Sequence, residues 1–363
     1  MSLICSVVGA RPNFMKMAPV ILEVRARRLN QIVVHTEQHF DPEMSDIFFK
    51  NLKIPEPDFH LGVRSGTHAE QTARVMEGFE RICLDLKPNL VVVAGDVNST
   101  LACALVAAKL LIPVAHIEAG LRSFDRSMPE EINRVLTDHV SSLLFTTERS
   151  GNENLIREGI AQQKIHFVGN SMIDSLQTHL PQALANRPWE RFSLDGKKYG
   201  LATLHRPANV DDKNKFLEIA SALEEVAQHI PLVFPAHPRT LQRIEQFGIS
   251  RGAINFVQPL GYIDFLGLMA KASLVLTDSG GIQEETTVLG VPCVTLRSNT
   301  ERPITLELGT NILAGTEKAN ILRAVQQSLN QDWSDRRLPP LWDGKAAVRI
   351  VDVIESSVGE RIS

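Results

Sequence analysis

Three acidic residues, Asp96, Glu118 and Glu131, stand where short segments of regular pattern end or begin. The apolar run Leu90-Val91-Val92-Val93-Ala94 breaks into Gly95-Asp96-Val97-Asn98-Ser99-Thr100. A second run, Ile112-Pro113-Val114-Ala115-His116-Ile117, breaks into Glu118-Ala119-Gly120-Leu121-Arg122, and Met128-Pro129-Glu130-Glu131-Ile132-Asn133-Arg134 opens a helix. In a parallel sheet the loops after neighbouring strands gather at one edge, and ligands bind there. Carboxylates gathered in such a cleft serve proton transfer. Any one of them is as readily a helix cap. Three in succession point to one shared cleft.

The elements that must position these residues alternate between strand and helix. Leu3 to Val8 is an apolar run that meets Gly9-Ala10-Arg11-Pro12-Asn13, and a helical face of Phe14, Met17, Ala18, Ile21 and Leu22 follows. The loop carries neither GxGxxG nor the P-loop pattern. It sets Arg11 and Lys16 at a helix start, where backbone N–H groups favour anions, and reads as a phosphate site. A strand from Gln31 to His35 enters a polar loop with Gln38 and His39; a helix is expected around Met44 to Phe49. The prolines in Ile54–His60 keep that piece extended. A long helix begins after Gly66-Thr67-His68, and strands at Leu143 to Thr146 and Ile165 to Val168 complete a doubly wound domain over residues 1–170.

Asp174 to Lys198 turns from helical to loop-like and marks the boundary. Residues 171–343 read as a second parallel α/β domain, with a final helix over about 344–363 packing back on the first. Strands in this half end in His205-Arg206-Pro207, in His237-Pro238, in Asp278-Ser279-Gly280-Gly281-Ile282-Gln283-Glu284-Glu285 and in Arg297-Ser298-Asn299-Thr300-Glu301-Arg302-Pro303. Ser279 and the two glycines start a helix directly after a strand. Their N–H groups suit a diphosphate, because backbone without a Cβ approaches a ligand closely. Glu284 or Glu285, about one turn on, could accept ribose hydroxyls. A cap with glycine packing explains that segment alone; His205, His237 and Arg302 at other strand ends favour the ligand.

Composition removes other classes. At 363 residues the chain exceeds one ordinary core. Its 44% hydrophobic and 22% charged content is that of a globular protein, and a net charge of −4 gives no reason to expect nucleic acid or an anionic membrane. Cys5, Cys83, Cys103 and Cys293 form no CxxC pair, which argues against a zinc site or a disulfide framework. The N-terminal apolar run ends at Arg11 and reads as a strand, not a signal peptide. No stretch reaches the roughly 20 apolar residues of a membrane span. A cytoplasmic protein is expected.

The segment Met128-Pro129-Glu130-Glu131-Ile132-Asn133-Arg134-Val135-Leu136-Thr137-Asp138-His139 resembles the non-hydrolysing UDP-N-acetylglucosamine 2-epimerases of bacteria. So do Gly9-Ala10-Arg11-Pro12, Gly95–Thr100, His116–Arg122, Asp278–Glu285 and Thr300-Glu301-Arg302-Pro303, in the family's order. The resemblance implies two Rossmann-like domains in a GT-B glycosyltransferase-like arrangement with an interdomain cleft. It implies interconversion of UDP-N-acetylglucosamine and UDP-N-acetylmannosamine, usually by a homodimer, through elimination of UDP to 2-acetamidoglucal and re-addition. No redox cofactor or metal is required. By motif, Asp96, Glu118, Glu131 and His205 are the catalytic candidates. Arg11, Lys16, Ser279, Gly280, Gly281, Glu285 and Arg302 match UDP-binding positions, and Phe265 is placed near the uracil. Gln38, His39 and Arg74 are the candidates for an activating second UDP-sugar site.

Two departures bear on the substrate. Relatives read HRREN where this chain has His205-Arg206-Pro207-Ala208-Asn209, and Ile304 replaces a usual acidic residue. The alternatives are a 2-epimerase of a 2,3-diacetamido or uronic acid UDP-sugar, and a hydrolysing relative. A GT-B glycosyltransferase would leave the three carboxylates without a joint task. A non-catalytic UDP-sugar binder would bind UDP without loss of label from carbon 2.

Overall fold

In a computed structural model of the chain, the structure describes residues 2–9, 11–38, 52, 54–249 and 252–359. The helix expected around Met44 to Phe49 and the side chain of His39 lie outside the described residues. The chain divides into two compact units: residues 1–178 with 340–363, and residues 179–339. The boundary falls within one helix, Ser171–Ala185.

The first unit holds a seven-stranded sheet of β1 (Leu3–Val8), β2 (Asn30–His35), β3 (Phe59–His60), β4 (Leu90–Ala94), β5 (Val114–Ala119), β6 (Leu143–Thr146) and β7 (Ile165–Phe167). The order is β3-β2-β1-β4-β5-β6-β7, with every pairing parallel. These strands are nearly continuous apolar runs because both faces are covered by helices. Helix His68–Leu86 buries Val75, Phe79 and Ile82 against Val91, Val93 and Cys103. It starts at a capping box, Thr67 accepting from Glu70 N–H while Glu70 accepts from Thr67 N–H. Chain order reverses between β1 and β4. The loops after those two strands therefore diverge and leave a crevice at their carboxyl ends. Those loops open with Gly9 and with Gly95-Asp96.

One expectation is corrected here. Glu118 does not lie in a loop after its strand: β5 runs on through Glu118 to Ala119. The pairing with β6 shifts register between Ile117 and Ala119, and Glu118 sits in the left-handed region at φ 69°. A bulge of this kind re-aims a side chain that the alternating pleat would turn elsewhere.

Residues 340–359 complete the first unit. The Trp342 indole N–H donates to Thr147 O at 2.9 Å, and helix Ala346–Gly359 meets helix Arg11–Ala26 through Arg27, which pairs with Asp352 at 2.7 Å.

The second unit holds a six-stranded sheet of β8 (Gly200–Thr203), β9 (Leu232–Pro235), β10 (Ile254–Val257), β11 (Leu274–Thr277), β12 (Cys293–Thr295) and β13 (Asn311–Leu313), in the order β10-β9-β8-β11-β12-β13. All pairings are again parallel. Helix Lys213–His229 packs Phe216 and Leu223 onto Phe234 and Leu276. The reversal lies between β8 and β11, so the loops at His205 and at Asp278-Ser279 flank this unit's crevice. All four cysteines are buried and unpaired, and burial pushes Cys83 and Cys293 up to about 12.

Candidate functional site

The first unit brings its three carboxylates onto cations. Lys16, on the second turn of helix Arg11–Ala26, is buried and its Nζ meets Glu118 Oε1 at 2.7 Å. The side chain crosses Gly95, where a Cβ would come within 3.0 Å of Nζ; the glycine, at φ 66°, allows both the turn and the crossing. Asp96 follows directly. Its Oδ2 takes Arg134 Nη2, while Arg134 Nη1 reaches Glu131 Oε2 at 2.9 Å. One guanidinium fork thus spans two of the expected residues. Asn133 Nδ2 donates to Asp96 O at 2.9 Å and fixes the backbone of that turn.

The three carboxylates are not equivalent. Glu131, 2% exposed, accepts from Ser123 N–H at 3.0 Å, Ser123 Oγ at 2.9 Å and Phe124 N–H at 2.9 Å in addition to Arg134. It holds a loop. Asp96 keeps a fifth of its side chain exposed. Glu118 pairs with Lys16 from a backbone conformation that costs about 1–3 kcal/mol.

Behind them lies an arrangement that residue types alone did not reveal. His116 is fully buried, with Nδ1 2.7 Å from Asp138 Oδ1 and Nε2 2.8 Å from Gly95 O. Asp138 also accepts from Gly120 N–H at 3.1 Å and pairs with Arg122 at 2.7 Å. Burial alone would raise the Asp138 pKa; His116 and Arg122 outweigh it and hold the carboxyl below its usual range. The Gly95 and Gly120 turns, which flank Asp96 and Glu118, are therefore tied to one buried carboxylate. Sequence reading missed Arg134, His116 and Asp138. The available signal was spacing: Glu131 and Arg134 are three apart on a helix and so share a face.

In the second unit Asp278 does the corresponding work across the β8/β11 reversal. It is fully buried and accepts from His205 N–H at 3.1 Å, Arg206 N–H at 3.0 Å and Asn209 Nδ2 at 3.2 Å. His205 Nδ1 stands 2.9 Å from Asp278 Oδ1, and its ring is otherwise exposed. Burial pushes Asp278 up, but His205 and Arg206 outweigh it and lower its pKa.

Helix Gly280–Leu289 begins at Ser279, whose side chain makes no cap bond. A Cβ on Gly280 would meet Arg302 Nη1 at 2.4 Å, so only glycine lets the guanidinium lie against this helix start. Gly281 opens the same first turn. Arg302 pairs with Glu284 at 2.8 Å and with Glu301 at 2.6 Å; Glu301 also takes Arg297 at 2.8 Å. An N-terminal helix turn beside a buried guanidinium is suited to an anion. Glu285 accepts from the Tyr262 hydroxyl at 2.8 Å, and burial, reinforced by Glu284, pushes it up to about 8 against the pull of that bond. Phe265 is half-buried on helix Tyr262–Lys271, one turn from Tyr262.

The remaining candidates are spread along the first unit. Arg11 opens its helix. Gln38 Oε1 accepts from Ser99 N–H at 2.8 Å and Ser99 Oγ at 2.7 Å, so it tethers the start of helix Asn98–Lys109. Arg74 is exposed and donates to Val63 O at 3.4 Å. His237 caps helix Pro238–Phe247, accepting from Arg239 N–H at 3.3 Å.

Comparison with known proteins follows the same pattern along the chain. A family model described as UDP-N-acetylglucosamine 2-epimerase matches residues 22–355. The chain is similar to the UDP-N-acetylglucosamine 2-epimerase of Methanocaldococcus jannaschii, 44% identical over 360 residues that cover 96% of this chain and 97% of that one. A crystal structure of the M. jannaschii enzyme in complex with UDP-GlcNAc and UDP superposes with a TM-score of 0.92 at 43% identity, covering 98% of this chain and 100% of that one. The chain is also 44% identical over 336 residues to a Pseudomonas aeruginosa UDP-2,3-diacetamido-2,3-dideoxy-D-glucuronate 2-epimerase, covering 92% of this chain and 94% of that one.

Proposed function

We infer the activity of this chain from its family: it belongs to the UDP-N-acetylglucosamine 2-epimerases. It interconverts UDP-N-acetylglucosamine and UDP-N-acetylmannosamine without hydrolysis. The observation that carries the residue assignments is the shared Arg134 fork, which sets Asp96 and Glu131 together beside the turn that Lys16 and Glu118 flank.

The chemistry fits those groups. The proton on sugar carbon 2 is weakly acidic, so a carboxylate must take it as the bond from carbon 1 to the diphosphate oxygen breaks. The C–H electron pair becomes the C1–C2 double bond of 2-acetamidoglucal, and the C1–O pair leaves with UDP. Return of a proton to the opposite face of carbon 2, with re-addition of the phosphate oxygen at carbon 1, completes the inversion. Two proton-transfer groups are needed. Asp96 and Glu118 are assigned to them, because Glu131 is saturated by its loop and is better suited to positioning. His205, the Ser279-Gly280-Gly281 helix start and Arg302 are assigned to the diphosphate, whose charge grows as it leaves. Arg11 and Lys16 belong with the same task, Glu285 with the ribose and Phe265 with the uracil. Gln38, His39 and Arg74 stay candidates for an activating second UDP-sugar. A homodimer working in the cytoplasm completes the proposal, supported by resemblance to the bacterial enzymes. No helix among the described residues is long and apolar enough to cross a membrane.

The test is NMR of UDP-N-acetylglucosamine with the protein in deuterated water. Deuterium at carbon 2 together with UDP-N-acetylmannosamine is the expected result. Accumulating free UDP would turn the reading to a hydrolysing enzyme. Label entering only a UDP-2,3-diacetamido uronate would move the substrate to that of the P. aeruginosa relative, and no label in either would sink the assignment.

A further inference from the structure

Strands β2 and β3 pair with His35 directly opposite His60. Side chains opposite one another in a ladder rise from the same face. Glu37 lies two residues beyond His35, past the end of β2. Its backbone there is left-handed, at φ 57°, which a residue with a Cβ seldom adopts. Three backbone bonds hold it so: Leu61 N–H to His35 O at 2.9 Å, Val63 N–H to Thr36 O at 3.2 Å and Arg64 N–H to Glu37 O at 3.1 Å.

The result is a convergence of donors. One ligand atom from each of His35, Glu37 and His60 lies within 4.8 Å of the other two. His60 Nδ1 is 2.7 Å from Glu37 Oε1, and the His35 ring meets His60 edge-on, with centroids 5.8 Å apart and planes at 73°. His35 is buried, Glu37 intermediate and His60 exposed, so the group has a floor and an open mouth. A hydrogen bond between His60 and Glu37 accounts for two members. The His35 ring brings a third donor to the same point, beside the left-handed backbone of Glu37.

We propose that His35, Glu37 and His60 bind a divalent cation of borderline softness, zinc(II) first, with water completing a four-coordinate shell. Two imidazoles and one carboxylate suit zinc and its neighbours; magnesium and calcium call for oxygen ligands throughout. The site takes no part in the epimerisation. The ion staples the two-residue edge strand β3 to β2 and fixes Glu37 next to Gln38, the residue that tethers Ser99.

Full-length, untagged protein is stripped with a chelator and titrated with zinc chloride by calorimetry. In parallel, cobalt(II) is added and its visible ligand-field bands are recorded. The variants are His60→Asn, at an exposed ring, and Glu37→Gly, which suits the left-handed backbone. The wild type is expected to bind one equivalent of zinc and to give the intense bands of four-coordinate cobalt. Each variant is expected to weaken binding by more than the roughly 10–100-fold that loss of an outer-shell partner costs. No zinc uptake by the wild type at micromolar concentration overturns the proposal, and so does uptake unchanged in both variants. Either result is independent of whether the protein epimerises a UDP-sugar.

Discussion

His205 shows how a residue can be exposed at its ring and still be fixed. Its backbone N–H, that of Arg206 and its own Nδ1 all converge on Asp278. Asp278→Asn keeps the volume and removes the charge, so the turn loosens while the groups assigned to the diphosphate stay. The expected outcome is a kcat lower by about 10–100-fold with little change in KM, short of the ~10²–10⁴ that an acid–base group itself contributes. Steady-state kinetics decides it: an unchanged kcat would leave Asp278 a purely structural residue. Types and positions of the acidic residues were legible in the sequence, because each marks the end of an apolar run or the start of a helix. Their inequality was not. Whether a carboxylate is saturated depends on Ser123, Phe124 and Arg134, which approach only after the chain folds. The histidines of the proposed cation site were hidden for the same reason: His35 and His60 become neighbours through strand register. The cysteine spacing that argued against zinc does not bear on them.

Long apolar runs made most strands readable, and Leu143–Thr146 has the expected bounds. Strand β13 escaped, since three residues carry no period, and so did helix Pro238–Phe247, despite a proline at its first position and Gly248 at its end with φ 67°. The link between helices Ser171–Ala185 and Ala346–Gly359 was equally invisible. Asp174 accepts from Ala346 N–H at 3.2 Å and Ala347 N–H at 2.7 Å, and so caps a helix far along the chain. Burial pushes its pKa up to about 6, against the pull of those bonds. The folded state therefore holds this proton more tightly than the unfolded chain. Its contribution is full below pH ~4 and is lost as pH rises through about 6, a change of about 3 kcal/mol for a shift of that size. Asp174→Asn should remove that slope. Urea unfolding of both proteins between pH 4 and 7 checks it, and parallel stability curves would contradict it.

At the scale of the molecule, the first unit is assembled from two separated stretches of chain, residues 1–178 and 340–363. The returning stretch is core. Trp342 is 1% exposed, and Ile350, Val351 and Ile354 are fully buried. Truncation after Pro339 should cost the first unit well beyond the ~3–5 kcal/mol of one deleted buried tryptophan. Hydrogen exchange would show protection lost across β1 to β7 and kept across β8 to β13. Equal loss in both would mean that they unfold as one.

That discontinuity also sets an order of events during synthesis. The ribosome delivers residues 1–178 first, but the Trp342 wedge and the helix that docks on Arg27 leave the exit tunnel last. At about 5–20 residues per second, residues 179–339 take on the order of 10–30 s to emerge. For that interval the first sheet waits with an apolar flank uncovered. The finishing segment is its last stitch, and a nascent chain interrupted before it would be a client for chaperones rather than a partly active enzyme.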